Sequence, residues 1–497
     1  MITVLLLLVA IALLVWGFVR ARPYGKIGIY AWLQSVVLMA PWLLFFGLFA
    51  TGIYVNLAGV LFLVVVSAGL YIYLGRQLRA MGQDELMAQK MATLATAAEP
   101  ATGDVEQSPD AEAESQPAQA TGEPDAVPTM PAEDLTALEG IFGIDTFFRT
   151  ETVPYQQGAI FRGNLRGEPE PTLARLKTSA TERLGEKYRL FLIQDPGARP
   201  VVVALPSSTD PQLMTLGQKV IAILLGIATL ATCMEAAGLL MNIELLSSPS
   251  QWPQAFPIAA GVIVILIVHE LGHWAIARQN GVKLSWPFFL PTWQIGAFGA
   301  LTRFESVLPN RSVLFDVAFA GPAAGGLLSL AMLFVGLVLS HPGSTFQIPA
   351  EFFQGSALVG ALAKGVLGNA LSEPIVDVHP LTLIGWIGLV ITALNLMPAG
   401  QLDGGRIVQA IYGRKTAGRT TVVTLILLAI ASLANSLALY WAALILFLQR
   451  GLERPAENEL TEPDDARAAL ALLALFLTLA TLIPLTPSLA GKLGIGS

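Results

Sequence analysis

His269 and His273 stand four residues apart, with Glu270 beside the first, in the run Ile258 to Ala277 that otherwise reads as a membrane-spanning helix. On a helix this spacing sets both imidazoles on one face about one turn apart, so both can reach a single ion with the glutamate next to it. The chemistry it suggests is metal-assisted hydrolysis, with Zn2+ as the ion. Ionisable side chains at membrane depth mark functional sites, because a charged one costs roughly 2.5 kcal/mol or more to insert. Zinc catalysis needs three protein ligands and an open position for water, whose pKa the ion lowers to about 7. Two histidines are one ligand short. His341 and His379 fall by topology on the opposite side, in the loop between Leu339 and Pro380. Asp403 is the better third ligand. It lies in Asn395-Leu396-Met397-Pro398-Ala399-Gly400-Gln401-Leu402-Asp403-Gly404-Gly405, where Pro398 should end or kink a helix and the paired glycines allow a tight turn.

The elements that must position these residues are apolar helices. Hydrophobic residues make up 54% of the 497 and charged ones 13%, with a mean hydropathy of +0.63, which is the composition of a multi-span membrane protein. Spans are expected at Ile2 to Val19, Ile29 to Phe49, Val55 to Leu74, Leu213 to Met241, Phe256 to Arg278, Val313 to Leu339, Pro380 to Leu396 and Ala468 to Ile483. Two shorter helices, broken at Asn435-Ser436, are expected between Thr420 and Leu448. Gly321, Gly325 and Gly326 read as close helix packing. The first run lacks a basic n-region and a small-residue cleavage site, and no Arg/Ser-rich leader precedes it, so the chain reads as bacterial or already processed.

From Gln83 to Pro131 the composition turns acidic and poor in large apolar residues, too poor to order itself. Patterning returns from Leu135 to Pro206, with strands expected at Ala159-Ile160-Phe161, Tyr188 to Ile193 and Pro200 to Ala204 and a helix at Pro171 to Leu184. Clusters of Arg and Lys in alternate loops, including Arg20, Arg76, Arg278, Arg414 and Arg450, put those loops and the small domain on the cytoplasmic side. The fold class is mainly α, a polytopic transmembrane helical protein with a small α+β cytoplasmic domain. Its regions are 1–82 (three-helix transmembrane region), 83–131 (disordered acidic linker), 132–206 (soluble α+β domain), 207–454 (transmembrane core carrying the metal site) and 455–497 (transmembrane helix and tail).

HExxH in one span followed by NxxPxxxLDG in a later one resembles the site-2 protease family of intramembrane zinc metalloproteases. The resemblance implies zinc on His269, His273 and Asp403, Glu270 as general base, and Asn395 as a stabiliser of the oxyanion. Asn395 also reads as a helix-terminating hydrogen bonder. The chain departs from the family in having Gly400 where many members carry a second proline, and Gly325 in place of an asparagine that some carry after Gly321-Pro322. Gly163-Asn164-Leu165-Arg166 resembles the GNLR element of the plastid and cyanobacterial branch, to which the resemblance assigns no role. The irregular segment Lys283 to Thr302, with Pro287, Pro291, Gly296 and Gly299, should dip back into the membrane. Its Phe298-Gly299-Ala300 stretch could pair with an unwound substrate as an added strand.

The charge of -7, without a basic patch, excludes nucleic-acid binding. A lone cysteine, Cys233, excludes an intramolecular disulfide and a cysteine-based zinc site. Three classes remain: an intramembrane zinc protease, a prenyl-protein processing type of membrane protease, and a zinc-binding scaffold or transporter without proteolytic activity. The prenyl-processing type needs a later glutamate ligand with no convincing candidate here, and a mere binding site has no need of Glu270 as a base. The expected partners are a transmembrane protein substrate and the lipid bilayer, with a homo-oligomer left open. The expected location is a bacterial inner or plasma membrane, or a thylakoid membrane.

Overall fold

The computed structural model describes residues 130–496, apart from 156, 196, 246, 434 and 450, together with Gly25–Ala50 and a few residues between 17 and 78. The span expected at Ile2 to Val19, most of Val55 to Leu74, and the linker as far as residue 129 lie outside the described residues. The described residues divide into two units, one of residues up to 126 with Leu425–Leu448, the other of residues 127–424 with 449–496. The first unit contains helix α1 (Gly25–Ala50), in which Gln34 donates to the Tyr71 carbonyl at 3.3 Å.

The second unit opens with a short helix, α2 (Ala132–Glu139), and an antiparallel sheet. Strands β1 (Phe147–Tyr155) and β2 (Gly158–Leu165) form a hairpin, helix α3 (Pro169–Leu184) follows, and β3 (Tyr188–Gln194) and β4 (Pro200–Pro206) complete the order β1-β2-β4-β3. Alternation explains β3, whose Tyr188, Leu190 and Leu192 point inward, while Val201 to Ala204 are all buried because β4 lies between two strands. Helix α3 starts with Pro169, which suits a first-turn position, and buries Leu173, Leu176 and Ala180 at helical spacing. Strand β1 was not expected from the sequence: Arg149, Glu151 and Pro154 hide its apolar face, and an edge position tolerates them.

Then come the helices α4 (Leu216–Leu240) and α5 (Trp252–Gln279), the hairpin β5 (Phe288–Thr292) and β6 (Gly296–Leu301), and α6 (Arg311–Leu339). A second small hairpin, β7 (Phe346–Pro349) and β8 (Ile375–Val378), brackets α7 (Ala357–Leu367). It leads to α8 (Pro380–Asn395), α9 (Asp403–Ala431), α10 (Ser436–Leu444), α11 (Asp465–Leu482) and α12 (Pro487–Leu493). Of α9, residues 403–424 belong to this unit, and α10 belongs to the first. Helices α4, α5, α6 and α11 are long and apolar enough to cross a membrane. They leave large side chains exposed, among them Ile221, Leu224, Leu472 and Phe476, which is a favourable arrangement against lipid and an unfavourable one against water. The protein is a multi-pass membrane protein with a small sheet-containing region, in agreement with the expected fold class.

Helix α8 spans 16 residues, about 24 Å, which is short of the hydrocarbon thickness. It packs with α5 and α6 as an inner layer, and Gly385 and Gly388 let it approach the backbone and Ser329 of α6. The expected break near Asn435 holds, with Asn435 capping α10. Helix α9 starts earlier than the apolar run suggested and is itself interrupted at Gly413, where φ is 79°. There the guanidinium of Arg311 donates to the carbonyls of Ala410 and Ile411, both at 2.7 Å, and so satisfies groups the interrupted helix leaves unpaired.

One segment ties the sheet to the helices. Leu192 of β3 donates to the Glu457 carbonyl (2.7 Å) and accepts from Glu459 (3.0 Å), while the amides of Glu457 and Asn458 donate to the carbonyls of Leu308 and Pro309 (2.8 and 3.0 Å) just before α6. Residues 457–459 thus act as a short parallel strand on the free side of β3.

Candidate metal centre

Helix α5 presents His269 and His273 on one face, toward α6 and the start of α9. Nε2 of His269 lies 3.1 Å from Nε2 of His273 and 3.2 Å from Oδ2 of Asp403; His273 Nε2 to the same oxygen is 3.4 Å. All three residues are buried. A tetrahedral ion with bonds of about 2.0–2.1 Å requires its donors to stand about 3.3–3.4 Å apart. Two imidazole nitrogens and one carboxylate oxygen at these separations therefore fit Zn2+ in both chemistry and size. His273 is further oriented by its Nδ1–H, which donates to the Val317 carbonyl of α6 at 2.7 Å and leaves Nε2 with its lone pair free for a metal.

Asp403 reaches this depth because of what precedes it. Helix α8 ends at Asn395, and residues 396–402 turn back so that α9 starts at Asp403. A Cβ on Gly404 would run into the Leu396 carbonyl and one on Gly405 into the backbone of Ala399 and Gly400, so the glycine pair lets the helix start lie against its own loop. Gly400, where many members of the resembling family carry a proline, has φ of 53°, a left-handed conformation that proline's ring forbids.

Two of the three glycines read as packing residues have a more specific place. A Cβ on Gly321 would collide with the His273 ring, and one on Gly325 would stand 3.0 Å from the His269 Cβ. Helix α6 is therefore scooped out where the two imidazoles lie. Gly326 faces Thr392 and is ordinary packing.

Glu270, Asn395 and the β5–β6 hairpin surround the triangle. The Glu270 carboxylate accepts from the Thr302 hydroxyl at 2.8 Å, just past β6. It also belongs to the one group of potential metal donors found among the described residues, with His269 and His273. The tighter set is the two histidines with Asp403. Asn395 Nδ2 donates to the carbonyls of Phe298 (3.0 Å) and Ile391 (2.9 Å), so its amide links α8 to the hairpin. Phe298 is buried, and Gly299, with φ of 108°, lies where a side chain would strike the Asn395 amide. Within the segment Lys283 to Thr302, residues Phe288 to Leu301 form an ordered hairpin. A cavity of about 20 Å3 touches His273, Thr302, Asn395 and Asp403, room for about one water.

Sequence reasoning missed Thr302, which bonds Glu270, and the buried pair Arg406 and Glu453, 3.0 Å apart beside Asp403. Arg406 stands one turn after Asp403, a weak signal, while nothing in the sequence marked Glu453, 47 residues further on. The other two histidines lie apart: His379 caps α8 through Nδ1 and His341 sits in the loop after α6. In the GNLR element, Gly163 allows close approach to the Phe148 carbonyl of β1, Leu165 packs on the sheet core, and Asn164 and Arg166 are exposed.

Comparison with known proteins gives the family. Residues 257–434 match peptidase family M50, and residues 136–212 match the EGY3 middle domain. The chain is 40% identical over 363 residues to a protein of Arabidopsis thaliana named probable zinc metalloprotease EGY2, chloroplastic, covering 71% of this chain and 65% of that one. It is 38% identical over 404 residues to the same plant's probable zinc metalloprotease EGY1, chloroplastic, covering 74% of each. The EGY2 protein of Oryza sativa subsp. indica is 39% identical over 351 residues, 69% of this chain and 64% of that one. The chain thus spans about two thirds of the length of the EGY2 relatives it matches. No solved structure matches it. A buried His-His-Asp triangle on helices of a membrane protein, over a stretch that matches the family from before the first histidine to beyond the aspartate, leads to one assignment: the chain belongs to peptidase family M50, the site-2 proteases.

Proposed function

We propose that this protein is an intramembrane zinc endopeptidase that hydrolyses peptide bonds of membrane-anchored proteins. The observation that carries the reading is the set of separations among His269, His273 and Asp403, 3.1 to 3.4 Å, beside a glutamate that is not needed to complete it. The names of the relatives, probable zinc metalloproteases, support the same reading, and their designation as chloroplastic supports a thylakoid membrane as the location.

His269, His273 and Asp403 would hold Zn2+, which when bound supplies Lewis acidity to polarise the scissile carbonyl and acidify water. Glu270 takes the proton from the attacking water and delivers it to the leaving amine. Its carboxylate is held from one side by Thr302, which fixes the direction in which it accepts. Asn395 donates to the carbonyl oxygen as charge develops, exchanging one of its present acceptors for the substrate. A helical substrate must first be unwound, because its carbonyls are already bonded within the helix. We place the unwound substrate as an added strand along Phe298-Gly299-Ala300 of β6, where the Phe298 carbonyl accepts from Asn395.

The test uses the purified full chain in detergent with a doubly tagged reporter carrying one leucine-rich span broken by Gly-Pro. Wild type is expected to bind one zinc per chain and cut the reporter, whereas Glu270→Gln keeps the zinc and spares it. Cleavage by Glu270→Gln at the wild-type rate would sink the mechanism; zinc-loaded wild type that leaves the reporter intact would favour a binding protein.

A further inference from the structure

Arg406 is a buried arginine one turn after Asp403, and its guanidinium touches four groups. Nη1 lies 4.0 Å from Oδ1 of Asp403, the oxygen turned away from the imidazoles. Nη2 donates to the Thr302 carbonyl at 2.7 Å. Nε and Nη2 each lie 3.0 Å from Oε2 of Glu453, and the guanidinium stacks on Phe304, 4.9 Å from its centroid. Thr302 in turn donates from its hydroxyl to Glu270. One cation therefore stands behind both the carboxylate that would bind metal and the carboxylate that would move the proton.

We propose that Arg406 is a positioning residue for this site. It restrains Asp403 so that Oδ2 faces His269 and His273, and it restrains Glu270 through Thr302, while Glu453 locks the guanidinium in place. The physical argument is burial. A guanidinium without partners at this depth would be far too costly, and one paired only to Glu453 would need no contact with the Thr302 carbonyl or the approach to Asp403. Partners behind a metal ligand hold its orientation, and removing one typically weakens metal binding about 10–100-fold. Glu453 belongs to the segment that a few residues later, at Glu457 to Glu459, bonds to β3 and to the start of α6. The guanidinium is thus held by the same stretch of chain that carries the sheet.

This inference rests on the zinc reading above, and the experiment separates the two. Zinc affinity of the full chain is measured by competition with a chelating dye for wild type, Asp403→Asn, Arg406→Gln, Glu453→Gln and Thr302→Val, with the melting temperature recorded alongside. Asp403→Asn should lose binding outright; if it binds zinc as wild type does, the site itself has been misread. Arg406→Gln should bind about 10–100-fold more weakly, Glu453→Gln should fall between it and wild type, and Thr302→Val should bind normally. Wild-type affinity in Arg406→Gln, with Asp403→Asn deficient, overturns the positioning role alone. On a reporter that wild type cuts and Glu270→Gln spares, Thr302→Val should lower kcat about 10-fold at unchanged KM, and Thr302→Ser should restore it. A Thr302→Val enzyme as fast as wild type, or a Thr302→Ser enzyme as slow as Thr302→Val, overturns the Thr302 branch.

Discussion

The sheet of residues 147–206 and the helical core around the histidines treat charge in opposite ways. On the sheet, Arg162 and Glu151 pair at 3.0 Å with both side chains half exposed, where water would solvate either one alone. In the core, His269, His273, Asp403, Arg406 and Glu453 are all buried, each within reach of another member or of a backbone carbonyl. Water makes the surface pair replaceable, and its absence makes the buried set interdependent. Charged residues are therefore poor guides to function in the sheet and good guides in the core.

The comparison is sharpened most by changes inside the core. Glu270→Gln should reduce turnover about 10²–10⁴-fold, the usual contribution of a general base, with zinc retained, as measured by metal analysis and reporter cleavage. Gly321→Val places a side chain in the His273 ring and should weaken zinc binding about 10–100-fold, as loss of ligand orientation does. Normal zinc affinity in that variant would mean that α6 shifts easily and the scooped face is unimportant. Gly299→Ala forces a side chain into a left-handed backbone beside Asn395 and should lower cleavage several-fold without changing zinc content. Unchanged cleavage would argue against both the oxyanion role and strand addition at β6.

The sheet should give smaller effects, with one exception set by burial. The hydrogen bond from Lys187 and then that from Tyr188 hold the Asp134 carboxyl below the ordinary aspartate range, while burial, followed by the bond to Asp134, pushes the Tyr188 hydroxyl up to about 12. The aspartate is depressed, so its stabilisation is present above about pH 3.9 and lost as pH falls below that through its folded value. The tyrosine is raised, so its share is present below about pH 10 and is lost as pH climbs to about 12. Asp134→Asn should cost on the order of 1 kcal/mol and flatten the acid limb, read as hydrogen exchange of β3 and β4 amides in the full chain. Arg162→Ala should cost under about 0.5 kcal/mol; a larger value would break the contrast between the two regions.

Much of this was legible beforehand because it depends on local rules. The helices α4, α5, α6, α8 and α11 end within a few residues of their apolar runs, since in lipid a backbone must bond within its own segment. The i, i+4 histidines follow from helical geometry, and the turn before Asp403 from Pro398 and the glycine pair. Strand β1 escaped notice because an edge strand can carry Arg149, Glu151 and Pro154 without exposing unpaired groups to a core. The Gly321 and Gly325 cradle could not be read from the sequence, because a glycine in a sequence does not say which side chain occupies the space it leaves.

The sequence by itself determined a membrane protein with two imidazoles on one helical face and a carboxylate at a broken helix further on, because composition and short-range periodicity carry that information. Only the tertiary structure decided that three donor atoms converge to 3.1–3.4 Å, that α6 is hollowed to admit the rings, and that Arg406 stands between Asp403, Thr302 and Glu453. Apart from the His269–His273 and Asp403–Arg406 pairs, each within about one helical turn, those contacts join residues 47 to 134 positions apart, and chain connectivity places no constraint at that range until the packing of the helices brings their faces together.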